Sequence, residues 1–439
     1  MIKPALALVL GLAMGVGSAA AQTVTPDTPA GRALKASLEA FDSLDQAKMA
    51  AFIAAWKPPT TADEMLIYAR ATGGFDLVSI DDARPDRLLY TLKARIGGVV
   101  SYGDIVVSGT PPTILAQTVF NLPPGVKPDA PPLDAALRKR VVDGVGADLA
   151  EAYIYPAVAQ QMTAKLQAQL AAGAYDGIDD GTVLARRLTD DLRGVSHDLH
   201  LHVEYRPAKW PPLAKPDAAE IARRTAQMLA SNCAFQEVEL LPGNIGYIKF
   251  NGFADADVCA PTATAAMAFV AHADALILDL RDNTGGDPQM VQFLASYLFD
   301  GGPTHLNDLH ARKDDATMQY WTLPFVPGTR MPTQPVFVLT SRMTFSGGEE
   351  FAYDLQTQKR ATLVGETTGG GAHPVDGRVV EDDFLLVVPV AEAINPVTKT
   401  SWEGTGVTPD VKTSAADALT TAEGLALKAI AAKGPPSGP

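Results

Sequence analysis

An unbroken apolar segment runs directly into a glycine-rich helix start between Pro335 and Glu350, and no other stretch constrains the fold as strongly. The letters PVFVLTSRMTFSGGEE indicate a buried strand, a turn at 344–348 and a helix. The same alternation of strands and helices recurs after Ala218. Strands are predicted at 244–250, 275–280, 336–339, 361–364 and 384–388, and helices at 260–271, 288–299 and 347–358. Near-continuous apolar strands separated by helices are typical of a sheet buried on both faces. We therefore predict an α/β core over residues 217–420.

Ser346 stands where this strand would deliver a side chain to the positive end of a helix, beside Gly347. A small hydroxyl next to glycine N–H groups suits an acyl-transfer nucleophile with its oxyanion hole. Ser is also a favoured helix N-cap residue. The local pattern by itself therefore fits a structural cap as well as a nucleophile.

Two smaller regions precede the core. Helical patterns in residues 30–56 and strand-like alternation in 88–120 predict an α+β domain over residues 22–125, which resembles the cystatin-like folds. Apolar residues at three- and four-residue spacing predict helices at 133–152, 155–172 and 181–192, and so a helical subdomain over residues 130–206. Proline-rich segments at 121–132 and 207–216 mark the boundaries.

Residues 1–21 read as a secretory signal. Lys3 precedes an apolar run, and small residues lead to a predicted cleavage after Ala21. A membrane anchor is the alternative, but the run is short and rich in Gly and Ala. We expect a periplasmic or secreted protein without a stable membrane span after cleavage.

The two cysteines, Cys233 and Cys259, are an even pair in a chain expected to be exported. Such a pair indicates a disulfide, which would stabilise the fold by about 3 kcal/mol. Two buried free thiols are the alternative. The placement of the pair does not indicate a metal site.

The net charge of the chain argues against nucleic acid as its main partner. The net charge is −14, and no cluster of Lys and Arg appears in the 439 residues. Phosphate binding needs such clusters, so nucleic acid is not an expected partner.

Three further segments carry candidate chemistry. Gly285 and Gly286 end DLRDNTGG after a buried strand, where their N–H groups could face a developing negative charge. A plain glycine turn or a phosphate loop are the alternatives, although the ending of a P-loop is missing.

The second segment, 197–202, holds three of the seven histidines. It could supply a general base, a metal site or only solvated loop residues; no Cys or acidic partner at recognised metal spacing joins it. The third segment contains Glu403 within WEGTGVTPD, where a carboxylate could orient a histidine or simply lie beside a surface turn.

The motifs DLRDNTGG, TFSGGEEFAYDL, RATLVGETTGG and GTGVTPD, in this order, resemble the tail-specific (C-terminal processing) serine peptidase family. They are most similar to its tricorn-like branch and to bacterial relatives of the interphotoreceptor retinoid-binding protein. The resemblance covers residues 130–415. It implies a crotonase-like α/β peptidase core, a peptide or protein substrate and no cofactor or metal.

The resemblance assigns the nucleophile to Ser346 and the oxyanion donors to Gly347 and the Gly285–Gly286 pair. The Ser/Lys branch has a lysine 25 residues after its serine, where this chain has Gly371, so a Ser/Lys dyad is excluded. The tricorn-like branch has a glutamate 57 residues after the serine, which falls on Glu403.

The histidine of that branch falls on His200, in the D-x-H spacing before an apolar strand. His197, which follows Ser196, is the alternative base.

The expected function is therefore a serine peptidase that uses Ser346, His200 and Glu403. A non-catalytic binder of apolar ligands, such as retinoids or fatty acids, on the same scaffold is the alternative. An α/β-hydrolase esterase is disfavoured because its G-x-S-x-G turn would need Gly where Thr344 stands. The oligomeric state is left open by the sequence.

Overall fold

A computed structural model describes residues 23–121, 128–207, 217–381 and 383–433. The predicted signal (1–21) and most of the two proline-rich connections lie outside these ranges. The described residues form a mixed α/β fold with several sheets, which confirms the predicted fold class. Within these ranges, none of the helices has both the length and the apolar character needed to cross a membrane.

Three helices and an antiparallel sheet form the N-terminal domain. Its elements are α1 (Pro29–Asp42), α2 (Gln46–Trp56), α3 (Ala62–Thr72), β1 (Phe75–Ala83), β2 (Arg87–Ala94), β3 (Val100–Ser108) and β4 (Thr113–Phe120), with the strands in sequence order. Leu34, Leu88 and Ile105 are fully buried in its core. The predicted patterns correspond to α1, α2 and the last three strands. They miss β1, which is acidic and mostly exposed, and α3.

The next region is helical. It consists of α4 (Ala135–Ala152), α5 (Pro156–Ala171) and α6 (Gly181–Ser196), followed by the short strand β5 (His202–Tyr205). Asp134 and Asp180 accept hydrogen bonds from first-turn N–H groups of α4 and α6, which satisfies donors that the helices leave free.

The rest of the chain alternates between helices and strands. The elements are α7 (Ala218–Ala230), β6 (Phe235–Leu241), β7 (Ile245–Phe250), α8 (Ala256–Phe269), β8 (Ala275–Asp279), α9 (Pro288–Ser296), β9 (His305–Ala311), β10 (Ala316–Trp321), β11 (Val336–Thr340), α10 (Gly347–Thr357), β12 (Thr362–Gly365), β13 (Val375–Glu381), β14 (Phe384–Pro389), β15 (Ala391–Ile394), β16 (Val411–Lys412) and α11 (Ala418–Lys433).

A six-stranded sheet in the order β16-β12-β11-β8-β7-β6 forms the centre of this region, and all neighbours are parallel except β6 and β7. Every residue of β8 and β11 is buried, because α8, α9 and α10 cover one face and α11 covers the other. The three glycine-containing motifs follow β8, β11 and β12. Because adjacent parallel strands end at the same edge, the sheet brings these motifs together.

A second sheet connects this core to the helical region. β14 pairs with both β13 and β5, and Phe384 and Leu386 are buried in the hydrophobic cluster of α4, α5 and α6. The β13–β14 hairpin therefore belongs to the α/β core region by its position in the sequence, but it packs against α4, α5 and α6. It places residues 198–202 beside the edge of the main sheet that carries the motifs.

Cys233 and Cys259 form a disulfide, with their Cα atoms 5.7 Å apart. Both side chains are buried. The bond joins the segment before β6 to α8.

A buried ionic network joins the N-terminal domain to the helical region. Arg87, 5% exposed, donates to both carboxylate oxygens of Asp104 at 3.0 and 2.6 Å. Asp180, the N-cap of α6, lies 2.9 Å from the same guanidinium, and Thr182 donates to Asp104 at 2.7 Å. Because desolvated charges are costly unless paired, this network holds the domain in one position.

Candidate active site

The turn between β11 and α10 is fastened to the end of the neighbouring strand β8. Thr344 donates its hydroxyl to the carbonyl of Leu280 at 2.7 Å and accepts from the N–H of Ser341 at 3.0 Å. The N–H of Phe345 donates to the carbonyl of Asn283 at 3.0 Å. These bonds position Ser346 at the carboxyl edge of the main sheet.

Ser346 has a positive φ of 53° with a ψ of −123°, which lies outside the left-handed helical region as well as the common regions. A non-glycine residue in a sparsely populated region costs about 1–3 kcal/mol and persists only where neighbours enforce it. Ser346 is also the N-cap residue of α10. The position therefore fits both interpretations of the sequence, a helix cap and a nucleophile. The N–H of Ser346 donates to Glu349 at 2.9 Å.

The Gly285–Gly286 pair lies directly against this turn. Both glycines have positive φ, and a Cβ added to Gly285 would lie 2.7 Å from the Ser346 Cβ and from the Gly347 nitrogen. Only glycine fits at such a close approach. The N–H of Gly285 donates to the side chain of Asn283 at 2.9 Å.

The two remaining donors of the predicted oxyanion hole are Gly286 and Gly347. A Cβ added to Gly347 would lie 3.1 Å from the Gly286 nitrogen, so the two backbones are in contact. Gly347 is the first residue of α10, where an N–H has no partner within the helix. These two N–H groups therefore suit an oxyanion hole, whereas that of Gly285 is already engaged.

Glu349 is fully buried and joins the Ser346 turn to the loop that follows β12. Besides the Ser346 N–H, its carboxylate accepts from the Thr368 hydroxyl at 2.5 Å, the Gly370 N–H at 2.7 Å and the Gly371 N–H at 2.8 Å. Burial raises the pKa of Glu349 to about 7, although these hydrogen bonds lower it. Glu349 was not predicted as a site residue from the sequence, where its one local signal is its place in the first turn of α10.

His200 lies on the other side of the same loop. Its ring packs on Phe345 with centroids 4.6 Å apart, and a Cβ added to Gly371 would lie 2.6 Å from its Cε1. At the position of the lysine of the Ser/Lys branch, the rings of His200 and Phe345 thus occupy the space that a side chain on residue 371 would need. Burial lowers the pKa of His200 to about 4, so the imidazole is neutral at neutral pH.

His197 has a different environment. It is the C-cap residue of α6, with φ 57°, and is exposed. Its N–H donates to the carbonyl of Arg193 at 2.9 Å. The structure thus brings His200, and not His197, against the Ser346 turn.

A buried acid–histidine network lies behind His200. Asp198, 1% exposed, accepts from the N–H of His200 at 3.0 Å and lies 2.7 Å from Nδ1 of His373. Glu403 lies 3.6 Å from that same nitrogen. Nε2 of His373 is 3.3 Å from the Tyr155 hydroxyl.

The contacts within this network shift the pKa values of His373 and Glu403. Burial alone would lower the pKa of His373, but its hydrogen bond to Asp198 and the nearby charge of Glu403 outweigh burial and raise it. Burial raises the pKa of Glu403. His373 therefore lies between the carboxyl groups of Asp198 and Glu403, which favour its protonated form.

Two buried atoms of this network have no hydrogen-bond partner among the described residues, Nδ1 of His200 and Oε1 of Glu403. Oε2 of Glu403 accepts from the N–H of Ala372 at 2.5 Å. Asp198, His200 and Glu403 each bring one polar atom within 4.8 Å of the others. The same atoms could approach a cation, but both carboxylates already accept protein hydrogen bonds and a four-coordinate site would lack a ligand.

His373 and the role of Asp198 were not found from the sequence. His373 follows a run of three glycines and an alanine, without a motif of its own. The one sequence feature that could have pointed to His373 is its position two residues after Gly371, where the Ser/Lys branch has its lysine.

Known proteins share parts of this sequence. A tail-specific protease of Haemophilus influenzae is 33% identical over 104 residues, which are 22% of this chain and 13% of that protein. The chloroplastic carboxyl-terminal-processing peptidase 2 of Arabidopsis thaliana is 29% identical over 181 residues, 39% of this chain and 33% of that protein. The matches thus span about a third or less of either relative. The solved photosystem II D1 C-terminal processing protease aligns with a TM-score of 0.41 and 15% identity, covering 66% of this chain and 96% of that one.

Two family models match consecutive parts of the chain. The model described as the N-terminal domain of peptidase S41 in eukaryotic IRBP matches residues 134–238, and the model of peptidase family S41 matches residues 244–413. Together they cover more than half of the sequence and include the turn with Ser346, the glycine pair, His200 and Glu403. The chain therefore contains domains of peptidase family S41.

Proposed function

We propose that this chain is a serine-type peptidase that hydrolyses peptide bonds through an acyl-enzyme on Ser346. The observation that carries the proposal is the strained Ser346 backbone at a strand-to-helix turn, with Gly285 packed against it and Gly286 against the next residue, Gly347. A helix cap alone has no need of such strain or of a glycine pair packed against it. The domains of peptidase family S41 support the same function.

In the proposed first step, His200 accepts the hydroxyl proton of Ser346 while Oγ bonds to the carbonyl carbon of the substrate. The N–H groups of Gly286 and Gly347 donate to the oxygen that becomes negative. The C–N bond then breaks, the leaving amine takes the proton from His200, and an ester remains on Ser346. Water attacks that ester with the same help and releases the acid and the free serine.

We assign the base to His200 because its ring packs beside the nucleophile turn and is neutral. Glu403, with one unpartnered oxygen near His200, is proposed to orient the base and to stabilise the imidazolium that forms. His373 is proposed as a positioning residue, since it contacts Asp198, and the carboxylate of Asp198 in turn accepts from the N–H of His200.

We also propose membership of the tricorn-like branch and a periplasmic or extracellular location. Gly371 in place of lysine supports the branch. The disulfide and the signal pattern of residues 1–21 support an oxidising compartment outside the cytoplasm.

The test compares the parent, Ser346→Ala and the control Ser108→Ala, whose serine is exposed in the N-terminal domain. Peptide hydrolysis and labelling by a fluorophosphonate are measured. Ser346→Ala should lose the label and roughly 10⁴-fold or more of the turnover, whereas the control should match the parent. Equal turnover in Ser346→Ala would exclude the proposed mechanism. A parent without label or hydrolysis that binds fatty acids would favour the apolar-ligand binder.

A further inference from the structure

A cavity of about 720 Å³ lies between the N-terminal domain and the candidate active site. On the domain side its wall is mostly apolar and is built from α1, α3 and β4. The wall residues include Phe41, Met65, Ile67, Tyr68 and Val119. The cavity lies within the volume range of sites that bind small ligands or substrate side chains.

The opposite wall belongs to the site itself. Leu199, Thr284 and Phe345 line the cavity, and each directly precedes a candidate functional residue, respectively His200, Gly285 and Ser346. Gly369, in the loop held by Glu349, lines it as well. The cavity therefore borders the three segments that carry the proposed base, the glycine pair and the proposed nucleophile.

Exposed apolar side chains face this space. Tyr68 is 56% and Leu199 44% exposed, which is high for large apolar residues on opposite walls of one cleft. Contiguous apolar surface of this kind gains free energy when a ligand removes it from water.

The charged side chains at the margin of the cavity are already engaged. Glu64 accepts from the N–H of Thr61 at 2.7 Å, Arg193 donates to the carbonyl of Leu201 at 2.8 Å, and Arg342 pairs with Asp63 at 2.5 Å. These contacts favour an apolar occupant over a charged one.

The domain wall is held in place by contacts at both ends of the domain. Arg342 and Asp63 join the Ser346 turn to α3, and Arg70 of the same helix lies 3.6 Å from Asp282. The buried Arg87 network holds the sheet of the domain against α6. The domain is therefore a fixed part of the cleft.

We propose that the N-terminal domain forms one wall of the substrate cleft and that the cavity binds a bulky apolar side chain of the peptide near the scissile bond. The inference rests on the proposed peptidase function and assigns the domain to substrate selection. Tyr68 is the residue through which it is tested, because its side chain is exposed and changing it leaves the domain core intact.

The experiment compares the parent with Tyr68→Glu and with Val78→Glu, a change at a 49% exposed apolar residue of β1 that does not line the cavity. A peptide library is digested and the products are sequenced by mass spectrometry. The best-cleaved sequence is then made as fluorogenic peptides with Leu or Lys at the selected apolar position, and kcat/KM is measured for each.

The parent and Val78→Glu should prefer the Leu peptide over the Lys peptide, and Tyr68→Glu should lower that ratio about tenfold or more. Thermal unfolding confirms that all three are folded. An unchanged ratio in folded Tyr68→Glu, or a library profile without apolar preference, would overturn the inference while leaving the peptidase function intact. A parent that neither cleaves the library nor reacts with a fluorophosphonate would exclude both this inference and the proposed peptidase function.

Discussion

Gly371→Ala tests whether the packing of His200 against the Ser346 turn is what the proposed chemistry needs. An added Cβ would lie 2.5 Å from Cε2 of Phe345 and 2.6 Å from Cε1 of His200. The backbone cannot easily retreat, because the Gly371 N–H donates to Glu349 and its carbonyl accepts from Trp402 at 2.8 Å. The two rings must therefore move.

The size of that movement sets the expected effect. Carbon atoms in ordinary contact are about 3.5–4.0 Å apart, so the His200 ring must shift by roughly 1 Å. A displacement of this size at a catalytic group costs about 100-fold in rate. Overpacking of the core costs about 1–3 kcal/mol, which is less than the stability of a typical domain, so the variant should fold.

The assay measures kcat for a cleaved peptide, the rate of fluorophosphonate labelling and the midpoint of thermal unfolding. The control is Gly194→Ala in α6, where a Cβ meets nothing within 4 Å and the helix should gain up to about 1 kcal/mol. Gly371→Lys restores the residue type of the Ser/Lys branch but begins with the same Cβ, so it should be at least as inactive. Parent-like turnover and labelling in a folded Gly371→Ala variant would refute the reasoning.

Three further predictions concern charge. Because burial lowers the pKa of His200 to about 4, kcat/KM should hold its neutral-pH value down to about pH 5 and fall with a midpoint near 4; a midpoint near 6.5 would contradict the assignment. Between about pH 6.5 and 4, the unfolded chain binds a proton at His200 that the folded chain does not. The stability that the neutral His200 contributes is therefore fully present above pH 6.5 and is lost as the pH falls through 4. Urea unfolding as a function of pH should show this loss in the parent and not in His200→Gln. Arg87→Met leaves Asp104 and Asp180 buried without a counter-charge and should cost about 3–5 kcal/mol in urea unfolding, whereas Arg32→Met at an exposed ion pair should cost less than about 1 kcal/mol; equal midpoints would exclude the network as a structural lock.

Local patterns were sufficient for the elements that carry Ser346 and the glycine pair. Buried strands followed by glycine turns and helices can be recognised within about twenty residues, because side-chain periodicity and turn chemistry act over short distances. The α/β fold class and the family resemblance derived from these patterns are both confirmed. The assignment of roles to Ser346, His200 and Glu403 stays a prediction.

Other features arise only from distant contacts. Asp198 and His373 are 175 positions apart in the chain, and no local pattern marks either as the partner of the other. The pairing of β5 with β14 brings them together. The apolar cavity likewise needs α3 of the N-terminal domain beside Phe345, an arrangement between residues far apart in the chain.

The amino-acid sequence was enough to place a serine at a strand-to-helix turn and a glycine pair after the neighbouring strand, since these follow from short-range backbone preferences. Which histidine packs against the turn that carries this serine was decided by tertiary structure. His197 ends a helix in solvent, while His200, three residues later, is carried into the interior by the strand that pairs with β14. Burial there lowers the pKa of His200, and its ring packs over Gly371; both effects need the whole fold.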